Sequence, residues 1–172
     1  MRVTMCGVLC CVAALATLIV GRLQADQPKA DKPTVAEFQK RINEYGKRWT
    51  MTDGAIDLTK LDEFYAPDEN VIIFDIAPPG VSTTWAAHRK GLDKELFSTL
   101  KAHKLVPRQD VTLRLVGDTA AVTTFTFDYA IERKDGEKLK GTGRQSNVWE
   151  RRGGGWVIVH EHSSPLPQAP DK

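Results

Sequence analysis

The chain has 172 residues, enough for one domain with a sizeable core. Its 24 Lys and Arg residues exceed its 22 Asp and Glu residues by the charges of Arg2 and Arg22, which both lie near the N-terminus. A nucleic-acid-binding surface needs a basic excess, so the neutral remainder argues against that class of protein. The three cysteines, Cys6, Cys10 and Cys11, are also N-terminal, which excludes a disulfide or thiolate site in the rest of the chain.

Residues 1–25 are typical of a signal peptide. Arg2 precedes an apolar run from Met5 to Val20, and small or neutral residues end at Ala25, before Asp26. An uncleaved membrane anchor is the alternative, but this run is shorter than the roughly 20 residues that cross a bilayer. We therefore expect a secreted or periplasmic protein, without a stable membrane span, whose domain at residues 34–165 lies between a disordered leader (26–33) and a disordered tail (166–172).

The first half of that domain has the patterns of helices. Thr34 and Glu37 form a capping box, which predicts a helix start at Thr34. The apolar stripe that follows comprises Val35, Phe38, Ile42, Tyr45 and Trp49. A second helix is predicted at about Asp57–Tyr65 and a third at Leu92–Ala102. His88 and His103 are interpreted as exposed residues near helix ends.

Strands are predicted before and after the third helix. Val71–Ile76 is a nearly continuous apolar strand that carries Asp75, and the Pro-Pro-Gly sequence of Ala77–Gly80 predicts a stiff turn. From Gln109 onward the apolar period changes from helical to two, with turn signals that separate four strands. Helices followed by a long meander predict an α+β fold.

Turn lengths then decide which side chains share a face of the sheet. A two-residue turn at Asp135-Gly136 sets Phe127 opposite Arg144. A three-residue turn at Arg152–Gly154 sets Arg144 opposite His162, although a change of one residue would move the histidines to the other face. The face predicted to line a pocket then comprises Phe125, Phe127, Tyr129, Arg144, Ser146, His160 and His162. The opposite face, which has threonines and Trp149, is predicted to be a homodimer interface.

Two stretches resemble a known family. Tyr65-Ala66-Pro67-Asp68 leads into Asp75-Ile76-Ala77-Pro78-Pro79, and the closing strand reads Gly-Trp-Val-Ile-Val-His-Glu-His-Ser-Ser. Together with the order of elements, these stretches resemble the SnoaL-like branch of the nuclear transport factor 2-like superfamily over residues 34–165. The resemblance implies three N-terminal helices packed on a strongly curved, mostly antiparallel sheet, which forms a cone with a pocket and frequently dimerises. Members range from isomerases and cyclases to non-catalytic binding domains, so the fold does not select a function.

The resemblance also implies which residues line the pocket. These residues are Tyr45, Trp49, Asp75, Trp85, Arg144, Ser146, His160 and His162. With an apolar wall of Phe125, Phe127 and Tyr129, they suit a small organic ligand that carries a carboxylate or a carbonyl group. The alternative is an acid–base enzyme of the ketosteroid isomerase or polyketide cyclase type. In that enzyme His160 or Asp75 moves a proton and Arg144 stabilises an enolate.

The two histidines of the last strand permit two further interpretations. His160 and His162 share one face at a spacing that can chelate zinc, but two ligands alone make a weak site. A hydrogen-bonded network with Arg144, Ser146 and Ser164 is a purely structural alternative. We expect no metal and no cofactor.

Overall fold

The computed structural model describes residues 32–52, 54–68 and 71–166. The predicted signal peptide, most of the leader and most of the tail lie outside the described residues. Within the described part, the chain forms two α-helices and seven strands of one sheet. No described helix has both the length and the apolar character needed to cross a membrane.

Helix α1 spans Val35–Arg48 and begins as the sequence predicts. The Thr34 hydroxyl accepts a hydrogen bond from the Glu37 N–H at 3.2 Å, and the Glu37 carboxylate accepts one from the Thr34 N–H at 2.6 Å. This reciprocal pair satisfies amide groups that a helix N-terminus otherwise leaves unpaired. The apolar stripe is buried at Phe38, Ile42, Tyr45 and Trp49.

The prediction of three N-terminal helices is wrong. Leu58–Leu61 forms only one 3₁₀ turn, which buries both leucines. The other α-helix, α2, spans Trp85–Gly91 and continues as a π-helical turn at Leu92–Leu96 and a 3₁₀ turn at Phe97–Thr99. Residues 100–102, predicted to be helical, begin a strand because backbone pairing with a neighbouring strand overrides their helical pattern.

The sheet is mostly antiparallel and curved. Its strands are β1 (Ile72–Phe74), β2 (Val81–Ser82), β3 (Leu100–Pro107), β4 (Thr112–Val116), β5 (Ala120–Arg133), β6 (Lys138–Arg152) and β7 (Gly155–Pro165). The spatial order is β2-β1-β7-β6-β5-β3, and β4 also pairs with β5. Strand β1 runs parallel to β7, whereas the other pairs are antiparallel. Helix α1 packs on one face, which we call the inner face; the opposite face is the outer face.

The register of β5 with β6 differs by one residue from the prediction. The Arg133 N–H donates to the Glu137 carbonyl at 2.8 Å, so the turn comprises the three residues from Lys134 to Gly136. Gly136 has a φ of 95°, a left-handed conformation that glycine adopts without strain. The longer turn sets Phe127 opposite Gly143 instead of Arg144. Every side chain of β6 therefore lies on the face opposite to the predicted one.

A β-bulge then changes the alternation along β7. Trp149 lies opposite Ile158, whereas Val148, the residue before it in β6, lies opposite His160. Val159 therefore has no partner in β6 and is the extra residue of the bulge. Ile158 is consequently buried on the inner face, and beyond the bulge Glu161 is the next buried side chain. Ile158 and His160 therefore lie on opposite faces, although regular alternation along a strand predicts that they share one.

Candidate functional site

The inner face holds a cavity of about 300 Å³ between α1, the turn after β1 and the inner side of the sheet. Five residues predicted to line a pocket do line this cavity: Tyr45, Trp49, Asp75, Phe127 and Tyr129. The other polar residues of its wall include His103, Gln145, Glu161 and Ser163. A larger groove of about 790 Å³ runs along α1 and β3, but it is open and lined largely by polar residues of the surface.

Two phenols and one carboxyl group form a hydrogen-bonded cluster beside the cavity, and two of its residues, Tyr45 and Glu161, line the wall. The hydroxyls of Tyr45 and Tyr65 both donate to Oε2 of Glu161 at 2.9 Å, and the two phenol oxygens lie 3.0 Å apart. Gln145 Nε2 donates to the Tyr45 oxygen at 3.3 Å and to Asn147 Oδ1 at 3.0 Å. Glu161 is 1% exposed, so this network surrounds a buried acid.

Burial keeps Glu161 in its neutral form at pH 7. Burial first, and the negative charge of Asp75 second, raise the Glu161 pKa from 4.5 to about 8, while hydrogen bonds from Tyr65 and Tyr45 oppose the rise. Burial also raises the pKa of both tyrosines, so they remain phenols. With both phenols donating to Oε2, we infer that the acid hydrogen lies on Oε1.

That acid hydrogen is available to a ligand. Within the described parts of the chain, Oε1 of Glu161 has no hydrogen-bond partner. The fully buried unpartnered side-chain atoms there belong to Arg41, Arg48, Trp49 and Asn147, and Oε1 is not among them. Since Glu161 lines the cavity, we infer that Oε1 opens onto it.

Asp75 lines the same cavity and anchors the turn that follows β1. Its Oδ1 accepts hydrogen bonds from Ser163 Oγ at 2.8 Å and from the Ala77 N–H at 3.0 Å. Its Oδ2 lies 3.2 Å from Nε2 of His88, whose Nδ1 is 3.3 Å from Ser82 Oγ. His88 is thus buried in a polar network, and its interpretation as an exposed helix-end residue is wrong.

The structure does not bring all predicted site residues to the cavity. Trp85 is not among the residues of the cavity wall; its ring stacks on Tyr65 at 4.0 Å, and its Nε1 donates to Asp62 Oδ1 at 2.6 Å. Phe125 is buried on the inner face, next to Phe127, but does not line the cavity. Both aromatic rings support the core beside the site.

Arg144, Ser146, His160 and His162 share a face, as the sequence predicts, but it is the outer face. Arg144 donates to Ser164 Oγ at 3.0 Å, and the rings of both histidines contact Phe74. The structure therefore corrects the prediction that these four side chains join the aromatic face. The described residues contain no group of three or more side chains suited to hold a metal ion.

The sequence analysis missed Glu161, Gln145 and His103 for identifiable reasons. The predicted register, whose one-residue error placed Arg144 inside, puts Glu161 and Gln145 on the outer face. His103 was assigned to a helix end, although it lies on β3 opposite Ile131.

Comparison with solved structures confirms the fold. A structure described as a putative calcium/calmodulin dependent protein kinase II association domain from Xanthomonas campestris is 22% identical, with a TM-score of 0.63, and the match covers 80% of this chain and 91% of that chain. A nuclear transport factor 2-like superfamily protein from Salmonella enterica is 22% identical, with a TM-score of 0.59 and coverage of 78% and 95%. At this identity such likeness shows the fold alone.

Further matches include a putative scytalone dehydratase from Novosphingobium aromaticivorans, which is 14% identical with a TM-score of 0.60 and coverage of 76% and 82%. No curated protein sequence matches this chain significantly. These likenesses confirm the nuclear transport factor 2-like fold. A sequence profile described as "Calcium/calmodulin dependent protein kinase II association domain" matches residues 49–167, most of the chain. The chain belongs to this association-domain family within the nuclear transport factor 2-like fold.

Proposed function

We propose that the cavity binds a small organic molecule whose carbonyl oxygen accepts a hydrogen bond from Glu161. The observation that carries this proposal is the buried, neutral Glu161 whose Oε1 is unpartnered among the described residues. The cavity volume of about 300 Å³ suits a small ligand, and its wall combines aromatic rings with a few polar groups. Such a composition is typical of sites that bury an apolar body and orient one polar head.

The charges around the cavity favour a carbonyl group over a carboxylate. The case for a carboxylate rested on Arg144, His160 and His162, which lie on the outer face. The cavity wall instead contains Asp75, whose negative charge disfavours a second anion, and its arginine, Arg133, is paired with Glu137. A neutral carbonyl oxygen accepts the Glu161 hydrogen without that repulsion.

Acetophenone, a small aromatic ketone, is a suitable probe. We expect its binding, measured by saturation-transfer NMR, at pH 7 and its loss at pH 9, where Glu161 is ionised. In the Glu161→Gln variant the side-chain amide still donates but cannot ionise, so binding persists at pH 9. Lys104→Gln, an exposed position on β3, is the control. Binding that has the same pH dependence in wild type and Glu161→Gln would refute the role of Glu161.

Acid–base catalysis is a second candidate, and one observation favours it: Asp75 and Glu161 face one cavity with opposite roles. Asp75 accepts hydrogen bonds, whereas neutral Glu161 donates. Asp75 would remove a proton from the carbon next to the carbonyl group. The C–H electrons would form a C=C bond while the carbonyl oxygen takes the Glu161 proton, and the reverse step would restore both groups.

Solvent-deuterium exchange tests this second candidate separately from binding. In D₂O at pH 7, catalysis exchanges the methyl protons of acetophenone, and their NMR signal decays faster than in buffer alone. Asp75→Asn removes the base, so the exchange rate falls to the buffer rate while binding at Glu161 persists. If wild type binds acetophenone but exchanges its methyl protons no faster than buffer does, the protein binds the ketone without catalysing this exchange.

We also propose that the chain forms a homodimer through its outer sheet face. The exposed apolar side chains of Ile72, Phe74 and Val81 lie beside His160 and His162 there. Exposed apolar area of this kind favours an interface between proteins. Native mass spectrometry should give a dimer for wild type and a monomer for Phe74→Lys; a monomer in both contradicts the proposal.

Export of the chain remains a proposal that rests on the Met5–Val20 apolar run. We expect the mature protein to begin at Asp26 and to be found outside the cytoplasm. N-terminal sequencing of the protein from cell fractions provides the measurement. Cytoplasmic protein with an intact Met1 contradicts it.

A further inference from the structure

His103 is a second polar group on the cavity wall, and the geometry fixes which of its nitrogens carries hydrogen. The side chain lies on β3, is 8% exposed and packs edge-on against Phe97 at 5.4 Å. Its Nδ1 lies 2.6 Å from the Trp49 carbonyl oxygen. A carbonyl oxygen can only accept, so Nδ1 carries the hydrogen and, in the neutral ring, Nε2 has the free lone pair.

The surroundings hold the ring neutral and in place. Burial lowers the His103 pKa, although the hydrogen bond to Trp49 and the charge of Asp75 oppose this effect. The Met51 N–H donates to the His103 carbonyl at 2.8 Å, so backbone and ring are both tied to the segment that ends α1. The ring orientation is therefore fixed before any ligand arrives.

We infer that Nε2 of His103 opens onto the cavity. It has no hydrogen-bond partner within the described ranges, and it is not among their fully buried unpartnered atoms. The ring lines the cavity, as Glu161 does. The cavity thus presents Nε2 as an unpartnered acceptor in addition to the unpartnered donor of Glu161. Gln145 Oε1 and the Tyr129 hydroxyl, which belong to the same wall, also have no hydrogen-bond partner among the described residues. The aromatic residues Trp49, Phe127 and Tyr129 line the same wall.

We propose that His103 accepts a hydrogen bond from a hydroxyl group of the ligand, so that the natural ligand is a hydroxylated carbonyl compound with a flat apolar body. This inference rests on the proposed function, because it assumes a carbonyl group at Glu161. A ligand that satisfies both polar groups leaves neither of them unpaired, whereas one without a hydroxyl group leaves Nε2 without a partner. The aromatic wall suits a ring between the two polar heads.

Two probes and one conservative variant test the inference. Wild type should bind 4-hydroxyacetophenone about two- to tenfold more tightly than acetophenone, the gain of one hydrogen bond. His103→Asn retains an N–H donor for the Trp49 carbonyl but removes the Nε2 acceptor. It should therefore lose the preference for 4-hydroxyacetophenone. Lys104→Gln should retain the preference.

The outcomes separate the two proposals. Equal affinities of wild type for the two probes, or a preference that persists in His103→Asn, overturn the role of His103 but not that of Glu161. Failure of both probes to bind wild type rejects the proposed function and this inference together. A ligand-independent check is the ¹⁵N NMR spectrum of the His103 ring at pH 7. Nδ1 should be protonated and Nε2 not; the opposite tautomer contradicts the inference.

Discussion

Gly143 lies directly opposite Phe127 in the sheet, and the Phe127 ring occupies the space that a side chain at position 143 would fill. The next cross-strand pair is similar, because a Cβ at Gly141 would lie 2.5 Å from the Tyr129 hydroxyl oxygen. Both rings line the cavity. The two glycines therefore let the rings lie against β6, which leaves the interior of the cavity open.

The Gly143→Ala variant should reduce the cavity. Its methyl group displaces the Phe127 ring, and overpacking of this kind costs about 1–3 kcal/mol of unfolding free energy. We expect a lower urea midpoint and weaker acetophenone binding. Gly143→Ala combined with Phe127→Leu relieves the clash, so it should recover part of both losses. If Gly143→Ala alone binds and unfolds like wild type, the ring does not depend on this glycine.

Stability should depend on pH through Glu161. Its pKa is about 8 in the folded protein against an ordinary value of 4.5, so between these pH values the folded state binds one proton more than the unfolded state. The free energy of unfolding therefore falls as pH rises through this range, by on the order of 5 kcal/mol, and levels off above it. Glu161→Gln should remove this component. Urea titrations measure the free energy of unfolding of wild type and Glu161→Gln at each pH. If this free energy changes with pH in the same way in both proteins, the prediction is wrong.

The neighbours of Glu161 should shift its pKa in opposite directions. Tyr65→Phe removes a hydrogen bond that lowers the pKa, so the pKa should rise. Asp75→Asn removes a negative charge that raises the pKa, so the pKa should fall. Carboxyl ¹³C NMR titration measures both shifts, and shifts of the same sign in the two variants contradict this electrostatic account.

The outer-face residues should not affect ligand binding. We expect Arg144→Ala and His160→Ala to bind acetophenone as wild type does, because both side chains lie across the sheet from the cavity. Binding measured by saturation-transfer NMR at pH 7 checks this result. A large loss of acetophenone binding in either variant would contradict the observed register and favour the one predicted from the sequence.

Much of the fold could be predicted from the sequence because its signals are local. The capping box of Thr34 and Glu37 and the apolar stripe of α1 determine that helix within a few turns of chain. The Pro-Pro-Gly turn after β1 is likewise present, and Gly80 has a φ of 79°. The prediction of the third helix was wrong from Leu100 onward, because these residues pair with β5, which is distant in sequence.

The candidate site was harder to predict because it depends on two small irregularities. One extra residue in the turn before Glu137 moves Gln145 inward and Arg144 outward. The bulge at Val159 then changes the alternation within β7, so that Ile158 and Glu161 are both buried. Neither feature has a strong sequence signal. Tyr45, Trp49, Phe127 and Tyr129 lie on the predicted face because their burial does not depend on those turns.

The most direct test of the account is the pKa of Glu161 in the intact protein. A ¹³C NMR titration of the glutamate carboxyl carbons measures this pKa. The Glu161 signal is assigned as the one that is missing from the spectrum of Glu161→Gln. We predict a titration near pH 8, which would mean that a neutral acid faces the cavity at pH 7. A titration near the ordinary value of 4.5 would mean a carboxylate there, and the proposed carbonyl site would be wrong.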